Sequence, residues 1–227
     1  MGQLHLAFLG TPEVRHSGQV VTFRTRKALA LLIYLVVKGG MHSREELTAL
    51  FWPESDEEQS RATLRSTLAY LRKTLGEMSD PQLSHLLIEH DSLGFNFGSD
   101  FDLDLNTLQA AWQLVRTSPS VSRGRGAHEE EVHHSVLPRL QQAANLYRGN
   151  FLEGFYVGDA PGFEDWVGTE RQFWHRRMDD IFHRLSQLQF ERGEINDAIE
   201  TITRWVSHDP FNELVYRRLM QVQVAAG

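Results

Sequence analysis

The first hundred residues combine short apolar segments with three stretches of helical periodicity. Residues 4–9 and 19–23 are short and mostly apolar, and turn-forming residues separate them, so they predict a small antiparallel sheet. Residues 26–38 are apolar on nearly every face, which is typical of a helix at the centre of a domain. Thr25 precedes them as a predicted N-cap, and a Gly-Gly pair follows as a stop signal.

Two further helix starts follow, and each carries the pattern of a capping box. Ser43 with Glu46 predicts one helix, which Pro53 ends. Ser55 with Glu58 predicts the next, whose acidic first turn suits the positive end of the helix dipole. About three residues separate the two helices, which is the length of connection found in a helix-turn-helix.

A β-hairpin is predicted after the third helix. A polar linker at 77–84 precedes two short segments, 86–89 and 94–98, which a turn at 90–93 joins. The order is therefore strands, three helices and a hairpin. This is the plan of a winged helix-turn-helix, with residues 56–75 in the position of the recognition helix.

The predicted third helix divides into a core stripe and an outward face. At about 100° per residue, four leucines (64, 68, 71 and 75) share one side and are predicted to face the core. The rest of the surface offers small hydroxyls, a tyrosine, a lysine and flanking arginines, which are residue types that reach base edges and phosphates. A plain surface helix whose basic residues pair with nearby acids is the alternative, and the residues alone leave both open. The outward and flanking residues are Arg61, Ala62, Thr63, Arg65, Ser66, Thr67, Tyr70, Arg72 and Lys73.

Composition narrows the class of protein. The 227 residues carry 30 Asp and Glu against 23 Lys and Arg, a formal net charge of −7. This charge argues against indiscriminate nucleic-acid binding but not against a local basic surface. The chain has no cysteine, which excludes disulfides and thiolate chemistry. The longest apolar run, 28–37, is about half the length of a membrane helix, and the N-terminus lacks a signal-peptide pattern, so we predict a cytoplasmic protein.

The second half of the chain is predicted to be helical. Helical spacing begins at residue 104, and a segment rich in Ser, Gly and charge interrupts it at 118–131. Pro161 suits the first turn of a long helix. LQFERG and VQVAAG end in glycines at 193 and 227, 34 residues apart, which is the period of a tetratricopeptide repeat.

These patterns predict two domains and a mainly α fold. Residues 1–99 are predicted to form the winged helix-turn-helix, with a small antiparallel sheet, three helices and the wing hairpin. Residues 100–227 are predicted to form an all-α domain of tetratricopeptide-like repeats. Because a repeat array needs a terminal cap and the chain stops at Gly227, we expect this domain to be truncated.

Patterns for catalysis or metal binding are weak. Residues 128–134 read HEEEVHH, but its histidines are five and six residues apart, whereas a helical zinc pair is four apart. A solvated polar stretch is the preferred interpretation. His175 and His183 are predicted to be partly buried or surface residues of an amphipathic helix. We predict no catalytic residues, no metal, no cofactor and no enzymatic activity.

The run from residue 25 to 76 resembles the DNA-binding domain of the Streptomyces antibiotic regulatory protein (SARP) family, an OmpR-type winged helix. The motifs that carry the resemblance are RKALALLIYL, SREELTALFWP and LRKTLG. The sequence after residue 100, with LYRGNFLEGF, resembles the bacterial transcriptional activator domain (BTAD) that follows in that family. The resemblance covers almost the whole chain, and the order and spacing of the motifs make it specific.

The resemblance implies a transcriptional activator that binds specific double-stranded DNA sequences. Its third helix (56–75) would enter the major groove, and its wing (86–98) would lie on the backbone or in the minor groove. Family members bind direct repeats upstream of promoters and recruit RNA polymerase, and their repeat domain serves dimerisation or regulation, so a homodimer on DNA is implied. Beyond the outward face of the third helix, the implied DNA contacts are Thr25, Arg26, Lys27, Arg44, His90 and Asn96.

Departures from the family pattern lower the expected affinity for DNA. Positions that are commonly Arg or His in the family are Thr67, Ala69 and Tyr70 here, and the wing carries Glu89 and Asp91, which repel phosphate. Weak or oligomerisation-dependent binding is therefore expected. The acidic charge also leaves a second class open, a signalling or scaffold module in which the winged helix and repeats mediate protein–protein contacts with little DNA binding.

Overall fold

The computed structural model describes residues 3–76, 84–117 and 127–226, and in the last range the side chains of 136–225. The predicted linker up to residue 83 lies outside the described residues, as do residues 118–126 of the predicted interruption at 118–131. Residues 127–131 were predicted as part of that interruption, but they are helical. The chain divides into two compact units. The first comprises Met1–Ala7, Pro12–Asp102 and Gly154–Thr169, and the second comprises Phe8–Thr11, Leu103–Glu153 and Glu170–Gly227. The division into independent domains at residues 1–99 and 100–227 stays a prediction.

The described residues contain seven short strands, which form two sheets. The strands are β1 (Leu4–Ala7), β2 (Glu13–His16), β3 (Gln19–Val20), β4 (Met41–Ser43), β5 (Leu86–Ile88), β6 (Ser92–Phe95) and β7 (Phe101–Leu103). One sheet has the order β3-β2-β1-β7 and the other the order β4-β6-β5. The predicted strands at 4–9 and 19–23 are confirmed as β1 and β3, although β3 ends at Val20. The predicted hairpin is confirmed as β5 and β6, but β6 begins at Ser92, within the predicted turn, and ends at Phe95. In contrast, β2 occupies part of a segment that was predicted as a turn.

The antiparallel pairing of β4 with β6 joins the wing to the segment before the second helix. Ser43 lies opposite Ser92, and Met41 lies opposite Gly94. A Cβ atom at Gly94 would stand 2.6 Å from both the Gly40 carbonyl oxygen and the Met41 sulfur. The close approach of the two strands therefore requires glycine at this position.

Three capped helices complete most of the first unit: α1 (Arg26–Lys38), α2 (Arg44–Phe51) and α3 (Glu57–Thr74). The predicted caps of α1 and α2 are confirmed, because the Thr25 and Ser43 hydroxyls accept hydrogen bonds from the third residue after each. The predicted cap Ser55 is wrong by one residue. The Asp56 carboxylate accepts from the Gln59 N–H at 2.8 Å, and a carboxylate suits the positive helix end better than a neutral hydroxyl does.

Aromatic rings fill the core of the first unit. The Tyr34 ring on α1 lies 6.0 Å from Phe51 and 5.0 Å from Trp166, centroid to centroid, and Phe51 lies 5.3 Å from Phe163. Tilted and edge-on aromatic pairs at these distances are favourable. Phe163 and Trp166 therefore anchor the segment 154–169 in the unit that contains the winged helix.

In the part of the second unit that the structure describes there are five helices, of which the third begins in the first unit. They are α4 (Asp104–Thr117), α5 (Ala127–Leu146), α6 (Pro161–Glu191), α7 (Ile195–His208) and α8 (Glu213–Ala226). The predicted start of a long helix at Pro161 is confirmed. Ala198 and Trp205 on α7 are buried, as packing within a repeat of paired helices requires. The mainly α fold class, a winged helix followed by helical repeats, is confirmed.

None of the described helices is both long and apolar enough to cross a membrane.

Candidate nucleic-acid interface

The leucine stripe of α3 faces the core, as predicted. Leu64, Leu68, Leu71 and Leu75 are at most 5% exposed. On the other sides of the helix, Ala62, Ser66, Lys73 and the three arginines are exposed, while Thr63, Thr67 and Tyr70 are half-buried. The helix therefore presents a polar, partly basic surface to solvent.

The hydroxyl groups on this face are oriented by the helix itself. Thr63 donates to the Gln59 carbonyl and Ser66 donates to the Thr63 carbonyl, each at 2.9 Å. Because the hydroxyl hydrogens are used in this way, the oxygens remain as acceptors. They can accept from the exocyclic amino groups of adenine or cytosine at the edge of a major groove.

Tyr70 contacts the backbone that precedes α1. Its hydroxyl accepts from the Arg24 N–H at 2.9 Å and donates to the Thr22 carbonyl at 3.2 Å. The Arg24 guanidinium carbon lies 5.3 Å from the centre of the Tyr70 ring, a cation–π distance. Sequence reasoning chose Tyr70 as an outward residue and missed Arg24, an exposed arginine whose only local signal is its position before the predicted cap Thr25.

Arg44 binds the turn of the wing. Its Nε donates to the His90 carbonyl at 2.8 Å and its Nη2 donates to the Glu89 carbonyl at 3.1 Å. The backbone N–H of Arg44 also donates to the Asp91 carbonyl at 2.9 Å. Arg44, one of the implied DNA contacts, thus fixes the wing turn onto the start of α2. The side chains of His90 and Asp91 project from that turn into solvent.

Other predicted contact residues are also engaged within the first unit. The Asn96 amide donates to the Ser84 carbonyl at 2.8 Å, which closes the end of the hairpin. Arg26 donates to the Tyr156 carbonyl at 3.1 Å, and Lys27 forms an ion pair with Asp159 at 2.7 Å. Lys27 also lowers the pKa of Asp159 through its hydrogen bond. Sequence reasoning missed these partners of α1 because about 130 residues separate them along the chain.

A cleft of about 990 Å³ opens between the first turns of α2 and α3 and the turn of the wing. Its charge is mixed. Arg61 forms an ion pair with Glu57 at 2.5 Å. Because the pair is exposed, it contributes little to stability, and a phosphate can replace the Glu57 carboxylate. Acidic and basic side chains both line this cleft: Glu45, Glu57, Glu58 and Asp91 against Arg44, Arg61 and Arg65.

Residues 114–227 match the model of the bacterial transcriptional activator domain. The fold is similar to that of Mycobacterium tuberculosis EmbR, solved in complex with a low-affinity phosphopeptide, with a TM-score of 0.71 and 18% sequence identity. The similarity covers 98% of this chain and 55% of the EmbR chain. A search of curated proteins gave no match.

Proposed function

The chain belongs to the bacterial transcriptional activator domain family, and on that basis we propose that it activates transcription by binding specific promoter sequences. In this proposal α3 enters the major groove and the β5–β6 wing lies on the backbone or in the adjacent minor groove. The observation that carries the proposal is the outward face of α3, which is polar and partly basic while its leucines are buried.

The side chains on α3 divide into two proposed roles. Arg61, Arg65 and Arg72 are exposed and long enough to reach phosphates, which fixes the orientation of the helix. Ser66, Thr63 and Lys73 lie on the outward face and are proposed to meet base edges. An α-helix with its side chains is about 10–12 Å wide, which matches a major groove about 12 Å wide.

The charge of the whole chain favours binding as a pair of copies. A net charge of −7 opposes long-range attraction to DNA, and acidic residues share the cleft beside the wing. Two copies on direct repeats would raise the effective local concentration, so that a modest contact by each copy gives useful affinity. We propose that the helical repeats support this dimer and recruit RNA polymerase, in a cytoplasmic protein that associates with the nucleoid when bound.

A salt titration of DNA binding tests the proposal. Fluorescence anisotropy with labelled promoter fragments should show affinity that falls steeply with salt, because phosphate binding releases counterions. Arg72→Ala and Lys73→Ala should weaken binding, and a variant whose side chain no longer neutralises a phosphate should have a salt slope smaller by about 0.9. The matched control is Arg217→Ala, which removes one positive charge from an exposed position on α8.

The same titration separates the activator from a scaffold module. If no promoter fragment binds even at low salt, or if Arg217→Ala weakens binding as much as Lys73→Ala does, the α3 interface is not the DNA-binding surface. Protein–protein contact through the repeats would then be the better account of the chain.

A further inference from the structure

Two histidines and two aspartates converge in the second unit, where α6 meets the end of α7. His175 and Asp179 lie one turn apart on α6, His208 is the last residue of α7, and Asp209 follows it. Donor atoms of His175, Asp179 and His208 all lie within 4.8 Å of one another. The His208 side chain is 1% exposed, and those of Asp179 and Asp209 are 20% and 26% exposed. The cluster is therefore largely withdrawn from solvent.

We propose that His175, Asp179 and His208, with Asp209 as a fourth donor, form a binding site for a divalent transition-metal ion, Zn²⁺. The His175 Nε2 lies 3.7 Å from the Asp179 Oδ2 and 3.8 Å from the Asp209 Oδ2, and the His208 Nε2 lies 3.6 Å from the Asp179 Oδ1. Tetrahedral Zn²⁺ with bonds of about 2.0–2.1 Å places its ligand atoms about 3.3–3.5 Å apart. These three separations exceed that spacing by only a few tenths of an ångström.

Each of the three central donors has the outer hydrogen bond that metal ligands usually have. The His208 Nδ1 lies 2.6 Å from the Tyr147 hydroxyl, and the His175 Nδ1 lies 3.3 Å from the Asn150 side-chain oxygen. The Asp179 Oδ1 accepts from the Trp205 indole N–H at 2.7 Å. Such partners fix the orientation of each ligand and, for histidine, determine which nitrogen carries the proton.

The hydrogen bonds are complete in the tautomer that binds a metal. The His208 Nδ1–H then donates to the Tyr147 hydroxyl, whose own hydrogen donates to the Asn150 oxygen at 3.3 Å. The Nε2 lone pair is left for the ion. In the other tautomer the His208 Nε2–H donates to the His175 carbonyl at 3.3 Å. Metal binding therefore exchanges one weak hydrogen bond for a coordination bond.

The charge of the cluster also favours a cation. Among the described residues, the ion pairs of Asp179 and Asp209 involve only the two histidines. A divalent ion would compensate two partly buried carboxylates.

The donor set selects the kind of metal. Two imidazole nitrogens with two carboxylates suit Zn²⁺, whereas Ca²⁺ and Mg²⁺ prefer oxygen ligands alone. The bound ion would connect α6 to the end of α7 and to the turn before α8. Zn²⁺ binding should therefore raise the temperature at which the full chain unfolds.

Competition titration of the EDTA-treated full chain with Zn²⁺ and a chromogenic chelator tests the site. We expect one Zn²⁺ per chain. His175→Gln and Asp179→Asn should abolish this binding and the thermal stabilisation by Zn²⁺, while Asn at 179 can still accept from Trp205. Tyr147→Phe keeps the ring and removes the outer partner of His208, so it should weaken Zn²⁺ binding by about 10–100-fold.

The control is the triple variant His128→Gln/His133→Gln/His134→Gln. It removes all the histidines of the HEEEVHH segment, which lie outside the proposed site. It should bind Zn²⁺ as the wild type does, with circular dichroism confirming that all variants are folded. The site is overturned if the wild type takes up no Zn²⁺. It is also overturned if the triple variant loses binding while His175→Gln and Asp179→Asn retain it. Co²⁺ should give the strong visible absorption of four-coordinate sites, and weak octahedral bands would overturn the proposed ligand set.

Discussion

Asp104, the first residue of α4, binds the segment that follows β1. Its Oδ2 accepts hydrogen bonds from the Phe8 N–H at 2.7 Å and the Leu9 N–H at 2.8 Å, and both groups are buried. Its Oδ1 is buried without a hydrogen-bond partner among the described residues. Burial raises the pKa of Asp104 to about 6, although the N–H donors act in the opposite direction. One carboxylate oxygen thus holds residues 8 and 9 in the second unit.

The first prediction concerns the pH dependence of stability at Asp104. The folded pKa lies above the ordinary value of 3.8, so the stabilising contribution of the protonated form is present below about pH 4 and is lost as the pH rises through about 6. Asp104→Asn is neutral at every pH and retains an oxygen for both N–H groups. The difference between its free energy of unfolding in urea and that of the wild type at the same pH should therefore increase in favour of the variant as the pH rises from about 4 to about 7.

Asp104→Ala is the comparison for that experiment. It leaves two buried N–H groups without an acceptor, which costs about 1–3 kcal/mol for each group. If Asp104→Ala and Asp104→Asn have the same free energy of unfolding at the same pH, the two hydrogen bonds contribute little.

The second prediction concerns Tyr70, which the sequence suggested as a base-reading residue. Tyr70→Ala is expected to change the set of DNA sites selected while the fold remains intact by circular dichroism. Tyr70→Phe removes only the hydroxyl bonds to Arg24 and Thr22, so it should lower the free energy of unfolding by about 0.5–1.5 kcal/mol and leave the selected sites unchanged. A shift of the selected sites in Tyr70→Phe equal to that in Tyr70→Ala would mean that the hydroxyl itself reads bases.

At the scale of helices and strands, local signals predicted the helices far better than the strands. α1 carries its own cap, its apolar length and its stop within about fifteen residues, so the sequence alone locates it. β4 has three residues and forms only because β6 lies beside it about fifty residues later. Ser43 is both the last residue of β4 and the N-cap of α2, so the local sequence indicates only the start of the helix. Strands of this length depend on distant partners that periodicity does not reveal.

The third prediction concerns the attachment of the wing to α2. The Arg44 guanidinium binds two carbonyls of the wing turn at once, and a lysine ammonium cannot reproduce this planar arrangement. Arg44→Lys should therefore increase amide hydrogen exchange in β5 and β6 nearly as much as Arg44→Ala does, although it keeps the positive charge. If Arg44→Lys keeps both the protection of the amide hydrogens and the DNA affinity, whereas Arg44→Ala loses both, Arg44 acts as a phosphate contact instead.

At the scale of the whole molecule, the sequence predicted which face of α3 is turned away from the core, but it did not predict which partners the other charged residues bind. The leucine stripe follows from periodicity alone, so the outward face was predictable. The partners of Arg26, Lys27 and Arg44 could not be predicted, because each depends on a backbone carbonyl or a carboxylate far along the chain. Basic residues near a predicted interface are therefore poor evidence for phosphate contact until their partners are known.

The last prediction concerns the ion pair between Lys27 and Asp159. In a chain with a net charge of −7, a carboxylate on Lys27 competes with any phosphate that approaches the start of α1. Asp159→Asn should remove the carboxylate that competes for the Lys27 ammonium and raise promoter affinity by up to about fivefold. This corresponds to about 0.2–1 kcal/mol for an ion pair whose carboxylate is exposed. Asp165→Asn, at an exposed position of the same segment, makes the same change in net charge and should have a smaller effect.

Anisotropy titrations of both variants at several salt concentrations distinguish these outcomes. Equal gains in affinity would assign the effect to net charge, and no gain in Asp159→Asn would mean that Lys27 does not meet DNA.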